Sequence, residues 1–239
     1  MVLWLRATQT QLNSAMSAVS VVVTRGYFGE ECSLTAEQIL ARQGREPEGL
    51  FELLDDNTPV VKAYFDIDER TLPRNDFPID RIISTLSLVL FGDCDIAPLL
   101  VCTSSGEYEG SFKHSYHINY AVSASREVWK EVADRTNKVL TAIGLPACID
   151  NKVYKRRQLW RMIYHHKRND NRIKKPLPLT WHGDQVSCII KSWVSYLGDC
   201  RPYVHDRLLT TQGFDRIRTC RSRALSEDYD KWVLYGNGP

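Results

Sequence analysis

Hydrophobic and polar positions repeat with two different periods along the chain, and these periods predict both strands and helices. The mainly apolar run "VVKAYFDI" at residues 60–67 follows the turn "DDNTP" and predicts a buried strand. "DFPIDRIISTLSLVLFG" has apolar residues at helical spacing, with Pro78 near its first turn and Gly92 beyond its end. "SREVWKEVADRTNKVLTAIG" predicts a second helix between Ser125 and Gly144.

Three further segments have the pattern of strands. "PLLVCTSS" and the alternating "SYHINYAV" are separated by the polar loop "GEYEGSFK", and we expect them to pair antiparallel. "QLWRMIYH" is the last strand candidate. The order strand, helix, strand, strand, helix, strand predicts an α+β fold, whose mixed or antiparallel sheet resembles an RRM-like palm.

The chain divides into three predicted regions. Residues 1–58 are expected to form a mainly helical accessory module, in which Thr35 caps the helix "LTAEQILARQ" and Gln38 completes a capping box. Residues 59–175 contain the palm. Residues 176–239 are expected to form a C-terminal extension that packs on the core.

Composition narrows the class of protein. Of the 239 residues, 43% are hydrophobic and 25% are charged, which is typical of a globular chain and argues against a disordered one. No apolar run approaches the roughly 18 residues that a membrane span requires, and the first residues lack the order of a secretory signal. We therefore expect an intracellular protein without a membrane partner.

The seven cysteines include no C-x-x-C pair, so they indicate neither a disulfide framework nor a contiguous zinc site. Most of them are expected to be reduced and buried. The alternative is a distributed zinc site built from Cys188, Cys200, Cys220 and His205.

Two carboxylates stand two residues apart in "YFDID". Residues i and i+2 of a strand share a face and lie about 6.6 Å apart, so Asp66 and Asp68 are neighbours, while Phe65 and Ile67 point to the opposite face. The two anions repel each other, and a divalent cation would keep both ionised. The alternative is that both carboxylates face solvent on a half-exposed sheet.

The strand "KHSYHINY" has a polar row on one face, made of Ser115, His117 and Asn119. Such a row suits a strand that lines a site, where His117 would contact a phosphate or assist proton transfer. The alternative is a structural histidine.

A dense cationic stretch follows Asp150. Residues 152–175 hold ten Lys or Arg residues and a single acid, Asp170. Guanidinium groups such as that of Arg161 match phosphate oxygens, and nearby aromatic rings such as Trp160 offer surfaces for bases. Charge runs are usually solvated faces, but this one is embedded in an apolar strand pattern.

Taken in this order, the features resemble the archaeo-eukaryotic primase superfamily, and within it the viral and eukaryotic primase-polymerase branch. That family carries an apolar strand ending in D-x-D or D-x-E, then an S-x-H strand, then an apolar residue and Asp before a "VY…R…K" segment. The matching segments are "YFDID", "SYH", "CID" and "VYKRRQLWRMIYHHK", and the resemblance covers residues 59–167.

The resemblance implies a role for each matching residue. Asp66, Asp68 and Asp150 would be catalytic and would hold two Mg²⁺ or Mn²⁺ ions. Contacts with the phosphates of an NTP or dNTP are assigned to six residues, the first on position alone: Lys113, Ser115, His117, Arg157, Arg161 and Lys167. The single-stranded DNA template would be contacted by four more: Lys155, Arg156, Arg168 and Arg172. The family has an arginine where this chain has Gln158, and Arg157 is expected to substitute for it.

The expected function is that of a template-directed nucleotidyltransferase, a DNA primase with polymerase capability. Larger members of this branch resemble fusions with a zinc element and a helicase, whereas this chain has no G-x-x-x-x-G-K-[ST] loop. A replicative helicase would therefore be a separate partner or part of a longer chain. The sequence does not distinguish the nucleus, the cytoplasm and a site of viral replication.

Two other functions remain open at this stage. A metal-dependent, rolling-circle-type endonuclease would need paired metal-binding histidines, but His114 and His117 are three apart and point to opposite faces of a strand. A non-catalytic, RRM-like nucleic-acid-binding module would carry the basic face, but its carboxylates would repel the phosphate backbone.

Overall fold

The computed structural model describes residues 19–26, 29–181, 183–198 and 200–204. Over these ranges the chain forms two β-sheets and four α-helices. The strands are β1 Ser20–Arg25, β2 Glu31–Thr35, β3 Leu50–Leu54, β4 Val60–Glu69, β5 Leu100–Thr103, β6 Gly106–Tyr108, β7 Ser111–Ser125, β8 Gln158–Arg161, β9 Lys175–Pro176 and β10 Arg201–Pro202. The helices are α1 Ala36–Ala41, α2 Ile79–Phe91, α3 Arg126–Ala142 and α4 Gln185–Ser192, with 3₁₀ turns at Asn151–Val153 and Pro178–Thr180.

Strand β7 lies in the middle of the larger sheet. One of its edges pairs antiparallel with β4, in a register that places Phe65 opposite Ile118 and Asp66 opposite His117. Its other edge pairs antiparallel with β6 and β5 and, near its end, in parallel with β10. Because side chains alternate across a strand, the apolar pair lies on one face of the sheet and the polar pair on the other.

Helices α2 and α3 cover the apolar face. Phe65, Ile67 and Ile118 are fully buried in one apolar cluster with residues of both helices. Trp129 of α3 donates its indole N–H to the carbonyl of Val61 on β4 at 3.1 Å, which fixes the helix on the sheet. The predicted positions of Phe65 and Ile67 are confirmed.

Both long helices that the periodicity predicts are confirmed. Helix α2 begins directly after Pro78 and ends at Gly92, whose φ of 70° places it in the left-handed region that favours glycine. Helix α3 begins after Ser125 and ends two residues before Gly144. The prediction of an α+β fold with antiparallel pairing is also confirmed.

The smaller sheet corrects the prediction for the first region. Its strands lie in the order β2, β1, β3, β8, so residues 19–58 contribute three strands and a single short helix. The prediction of a mainly helical module is therefore wrong for the described part of residues 1–58. The region departs from the prediction because the β-branched run of β1, "SVVVTR", favours a strand over a helix. The capping box of Thr35 and Gln38 on α1 is confirmed.

Strand β8 also lies elsewhere than predicted. It pairs antiparallel with β3 rather than joining the larger sheet. The position beside β4 is taken by one antiparallel bridge between Ile67 and Ile149. The chain turns into a 3₁₀ helix directly after Asp150, so no longer strand forms there. The chain therefore passes from the larger sheet, where Ile149 contacts β4, to the smaller sheet, where β8 pairs with β3.

The predicted loop "GEYEGSFK" is a hairpin. Strand β6 pairs with the start of β7, with Tyr108 opposite Ser111. Glu109 and Gly110 form the turn with φ values of 50° and 78°. Positive φ at two successive turn residues matches the right-handed twist of the paired strands. The polar residues of this segment therefore belong to a tight hairpin turn and not to an open loop.

The described residues after β9 pack against both sheets. Cys188, Ile189 and Ile190 of α4 are fully buried in a second apolar cluster with residues of β1 and β3. The buried carboxylate of Glu52 on β3 accepts hydrogen bonds from the backbone N–H groups of Val194 and Ser195 at 2.9 and 2.7 Å. None of the helices within the described ranges combines the length and apolar character needed to cross a bilayer.

We expect Glu52→Ala to lower the free energy of unfolding by about 2–4 kcal/mol, because it leaves the buried N–H of Val194 and the partly buried N–H and hydroxyl of Ser195 without their acceptor. Urea denaturation measures the effect. Glu131→Ala is the control, because its exposed pair with Arg135 on α3 contributes roughly 0.3–0.5 kcal/mol. Equal effects of the two substitutions would contradict a structural role for Glu52.

Candidate functional site

A pocket of about 470 Å³ opens between the polar face of the larger sheet and strand β8. Residues from five separate segments line it, and most of them are polar. They are Phe51, Asp66, Asp68, His117, Asp150, Lys152, Val153, Lys155, Arg157, Gln158, Leu159, Trp160, Arg161 and Lys167. The three predicted catalytic carboxylates are therefore brought together with five of the predicted basic or histidine contacts.

Strand β4 places Asp66 and Asp68 side by side in this pocket, as the alternation predicts. Oδ1 of Asp66 and Oδ1 of Asp68 are buried, and neither has a hydrogen-bond donor within the described residues. Buried carboxylate oxygens without donors are unusual, because their desolvation is then uncompensated. This pair is suited to an external ligand that supplies positive charge.

Asp150 reaches the pair through backbone contacts with β4. Its N–H donates to the carbonyl of Asp66 at 2.8 Å, and the N–H of Asp68 donates to the carbonyl of Cys148 at 3.1 Å. The Asp150 side chain caps the following 3₁₀ helix by accepting from the N–H of Lys152 at 2.8 Å. The third carboxylate is thus held on the same strand edge as the first two.

Burial controls the electrostatics of the carboxylates. Burial above all, and then the negative charge of Asp68, raises the pKa of Asp66 to about 7, although Lys167, Arg161 and Lys113 act in the opposite direction. Nζ of Lys113 lies 2.6 Å from Oδ2 of Asp68 and compensates that carboxylate directly. Lys113 therefore supports a carboxylate and does not line the pocket.

His117 is the member of the predicted polar row that lines the pocket. Its Nε2 lies 3.4 Å from Oδ1 of Asp66, and its Nδ1 lies 2.8 Å from Nζ of Lys174. Burial, and next the charge of Lys174, lowers the pKa of His117 well below its usual range. The ring is therefore neutral near pH 7, and it packs on the indole of Trp160 at 4.0 Å between ring centroids, with a tilt of 34° between the ring planes.

Ser115 and Asn119 have other partners. Ser115 lies opposite Asp68 in the β4–β7 ladder, and its hydroxyl accepts from Ser104 at 3.2 Å. Ser104 in turn accepts a short hydrogen bond from the Arg161 guanidinium. Asn119 donates to the carbonyl of Ser192 at the end of α4. Ser115 thus acts on the pocket through Arg161 rather than by lining it.

Arg161 and Lys167 face the carboxylates across the pocket. Arg161 is 3% exposed, and its Nε has no hydrogen-bond acceptor within the described residues. Arg157 also lines the pocket, and it pairs with Glu31 at 2.9 Å. The amide of Gln158 donates to the carbonyl of Leu159, so this residue does not replace an arginine.

The four residues predicted to contact the template are separated by the structure. Lys155 lines the pocket. Arg156 pairs with Asp56 on the surface, and Arg168 pairs with Glu48. Arg172 pairs with Asp170 at 2.7 Å and lies over the ring of Tyr108. These three lie outside the pocket lining.

Sequence reasoning missed three polar contributors to this site. They are Lys152, Ser104 and Lys174. Lys152 and Lys174 were visible only as members of the basic stretch, and nothing in the residue pattern separates them from solvated lysines. Ser104 ends a predicted strand, and its contact with Arg161 joins residues 57 positions apart.

The distributed zinc alternative receives no support from the described residues. Cys188 is fully buried among apolar side chains, and Cys200 is partly buried. His205 and Cys220 lie outside the described residues. Within the described ranges, the metal-type donor atoms that lie together within 4.8 Å belong to Asp93, Cys94 and Asp95, in an acidic turn after α2, and Cys94 is disulfide-bonded rather than a free thiol.

A scan against models of known protein families finds none that matches this chain, and a search of curated proteins finds no significant match.

The elevated pKa of Asp66 predicts a stability effect that depends on pH. The unfolded chain releases this proton near pH 3.8, whereas the folded protein keeps it up to about pH 7, so ionisation destabilises the fold as pH rises between these values. We expect Asp66→Asn to raise the free energy of unfolding at pH 8 in EDTA by on the order of 1–4 kcal/mol, and to raise it less at pH 5.

Chemical denaturation at the two pH values measures this difference. Asp56→Asn is the matched control, since Asp56 is an exposed carboxylate paired with Arg156, and we expect it to give no gain at pH 8. An Asp66→Asn effect of the same size at pH 5 and pH 8 would exclude the elevated pKa.

Proposed function

We propose that this protein is a template-directed nucleotidyltransferase, a DNA primase with polymerase capability that joins nucleoside triphosphates on single-stranded DNA. The observation that carries the proposal is the shared pocket of Asp66, Asp68 and Asp150, in which two buried carboxylate oxygens lack donors. Opposite them stand Arg161 and Lys167. A pocket with both charges suits a substrate that is itself anionic and arrives with cations.

The carboxylates fit divalent cations with a preference for oxygen ligands. Lys113 occupies Oδ2 of Asp68 and leaves Oδ1 of that residue without a donor, next to the unpartnered Oδ1 of Asp66. Mg²⁺ or Mn²⁺ held by Asp66, Asp68 and Asp150 would lower the pKa of an attacking 3′-hydroxyl and clamp a triphosphate. The raised pKa of Asp66 means that a bound cation would favour the ionised form of the site.

The opposite wall of the pocket fits phosphate oxygens. Trp160 Nε1 and Arg161 Nε are buried N–H groups without acceptors in the described residues, which indicates that an external acceptor belongs there. His117 and Lys167 add a neutral and a charged donor. These groups would bind the triphosphate and stabilise the charge that develops as pyrophosphate leaves.

The strand order of the larger sheet supports a palm. β4, β7 and β5 lie side by side, with α2 and α3 following β4 and β7 in the chain, which is the order of the first three strands of an RRM-like unit. The bridge at Ile149 occupies the position of a fourth strand. The volume of about 470 Å³ lies within the range of small-molecule sites. Single-stranded DNA is proposed as the template, and a replicative helicase as a further partner on the resemblance alone.

The two alternatives fit the structure less well. His114 stacks on Phe77 at 4.5 Å between ring centroids, and its Nε2 contacts the carbonyls of Leu72 and Pro73. It therefore does not join His117 in a metal-binding pair of the endonuclease type. A non-catalytic binding module would leave the buried carboxylate oxygens without any role.

We expect Asp66→Asn/Asp68→Asn to lower primer synthesis and primer extension by about 100-fold or more, because the substitutions remove the charges that hold the cations. The assay uses single-stranded DNA, labelled NTPs or dNTPs, and Mg²⁺ or Mn²⁺. Mn²⁺ should raise the melting temperature of the unsubstituted protein and leave that of the variant unchanged.

The control is Asp93→Asn/Asp95→Asn, which changes another D-x-D pair of the chain, on the acidic turn after α2. This variant should keep full activity and the Mn²⁺ response. Full product from the Asp66 and Asp68 variant would refute the proposal, and nicking of single-stranded DNA without nucleotides would support the endonuclease.

Two adjacent arginines test the cationic wall. Arg157→Ala should raise the KM for the nucleotide by roughly 10-fold, because Arg157 lines the pocket, whereas Arg156→Ala should leave it unchanged. Steady-state kinetics at a fixed template concentration measures both. The reverse order of effects would show that the triphosphate approaches from the surface that carries Arg156.

A further inference from the structure

Lys174 is buried directly behind the pocket. Only 1% of the residue is exposed, although lysine is rarely buried without a specific partner. Its Nζ lies 2.8 Å from Nδ1 of His117, makes a short hydrogen bond to the carbonyl of Arg161, and lies 5.2 Å from the ring centroid of Trp160. One ammonium thus contacts three residues that line the pocket.

The backbone holds this lysine from both sides. The N–H of Lys174 donates to the carbonyl of His165 at 3.1 Å, and its own carbonyl accepts from the N–H of Tyr164 at 2.7 Å. The next residue, Lys175, begins β9 and pairs with Thr103 of β5. The backbone of Lys174 is therefore fixed by hydrogen bonds on both sides, and its buried side chain is held in place, unlike that of a surface lysine.

The chemistry of an ammonium group decides the state of the histidine. Burial lowers the pKa of Lys174 to about 8, so its amine is still mainly charged at pH 7. A charged lysine offers three donors and no acceptor, so Nδ1 of His117, at 2.8 Å, accepts the hydrogen bond. A neutral imidazole that accepts at Nδ1 carries its proton on Nε2. Nε2 is the atom on the Asp66 side of the ring, and it lies 3.4 Å from Oδ1 of Asp66 without forming a hydrogen bond to it.

We propose that Lys174 is a positioning residue that holds His117 as the neutral Nε2–H tautomer, with that N–H available to a phosphate oxygen of the bound nucleotide. The nucleotide in this statement rests on the proposed function, whereas the tautomer does not. His117 is then a fixed hydrogen-bond donor rather than a proton carrier. Because the same ammonium binds the Arg161 carbonyl, Lys174 places two phosphate contacts as one unit.

The tautomer is measured without any substrate. Long-range ¹H–¹⁵N NMR of the full chain with ¹⁵N-histidine, assigned by comparison with His117→Gln, distinguishes protonated from unprotonated ring nitrogens. In the unsubstituted protein at pH 7 we expect Nδ1 of His117 to be unprotonated and Nε2 to be protonated. The opposite tautomer, or a doubly protonated ring, overturns the proposal whether or not a Lys174 variant folds.

Two matched variants test whether Lys174 sets the tautomer of His117. Lys174→Met keeps the aliphatic stem and removes the donor, so we expect the Nδ1–H form of His117 to become populated. Lys175→Met changes the exposed neighbour and should leave the spectrum unchanged. A Lys174→Met spectrum identical to that of the unsubstituted protein refutes the positioning role.

Kinetics separates positioning from a general structural role. Lys174→Met should lower kcat/KM for the nucleotide by roughly 10- to 100-fold, the loss expected for one hydrogen bond to a charged group. The same substitution should have little further effect in a His117→Gln background, because the two residues act through one contact. Additive losses would contradict the proposal. If the Asp66 and Asp68 variant retains activity, the proposed function fails, while the tautomer measurement still decides the role of Lys174.

Discussion

In the antiparallel ladder between β4 and β7, Asp66 lies opposite His117 and Asp68 lies opposite Ser115. The alternation of side chains then assigns each residue of both strands to the core or to the pocket. Shifting this register by one residue would move the carboxylates under α2 and α3 and expose Phe65 and its neighbours. The buried apolar face therefore stabilises the one register in which the polar groups form a pocket.

The polar face carries a local cost in stability. Burying Asp66 near Asp68 raises the pKa of Asp66, which reflects the repulsion and desolvation of two close anions. Lys113 compensates one carboxylate at 2.6 Å, and Arg161 and Lys167 act at longer range. The remaining unpartnered oxygens are tolerated because the apolar cluster on the opposite face stabilises the sheet independently of them. Charge left uncompensated in this way is typical of a binding or catalytic site.

The parts of the fold that could be predicted are those that depend on local periodicity. Helices α2 and α3 follow from apolar spacing with Pro78 and Gly92 at their limits, and the faces of Phe65 and Asp66 follow from alternation. The partner of β8 could not be predicted in this way, because a short apolar strand is compatible with either sheet. The role of Lys174 was equally inaccessible, since its neighbours in the chain are ordinary basic residues.

The sequence by itself determined that Asp66 and Asp68 share one face of β4, that Phe65 and Ile67 share the other, and that α2 and α3 form, because the spacing of residues decides which of them share a face. The tertiary structure alone decided which distant groups reach that face. Asp150 lies at the edge of β4 because the neighbouring Ile149 forms a bridge with Ile67. Arg156 lies on the surface, paired with Asp56, and Lys174 lies behind His117. The physical reason is that these contacts depend on sheet pairing and burial between segments far apart in the chain, which residue patterns do not encode.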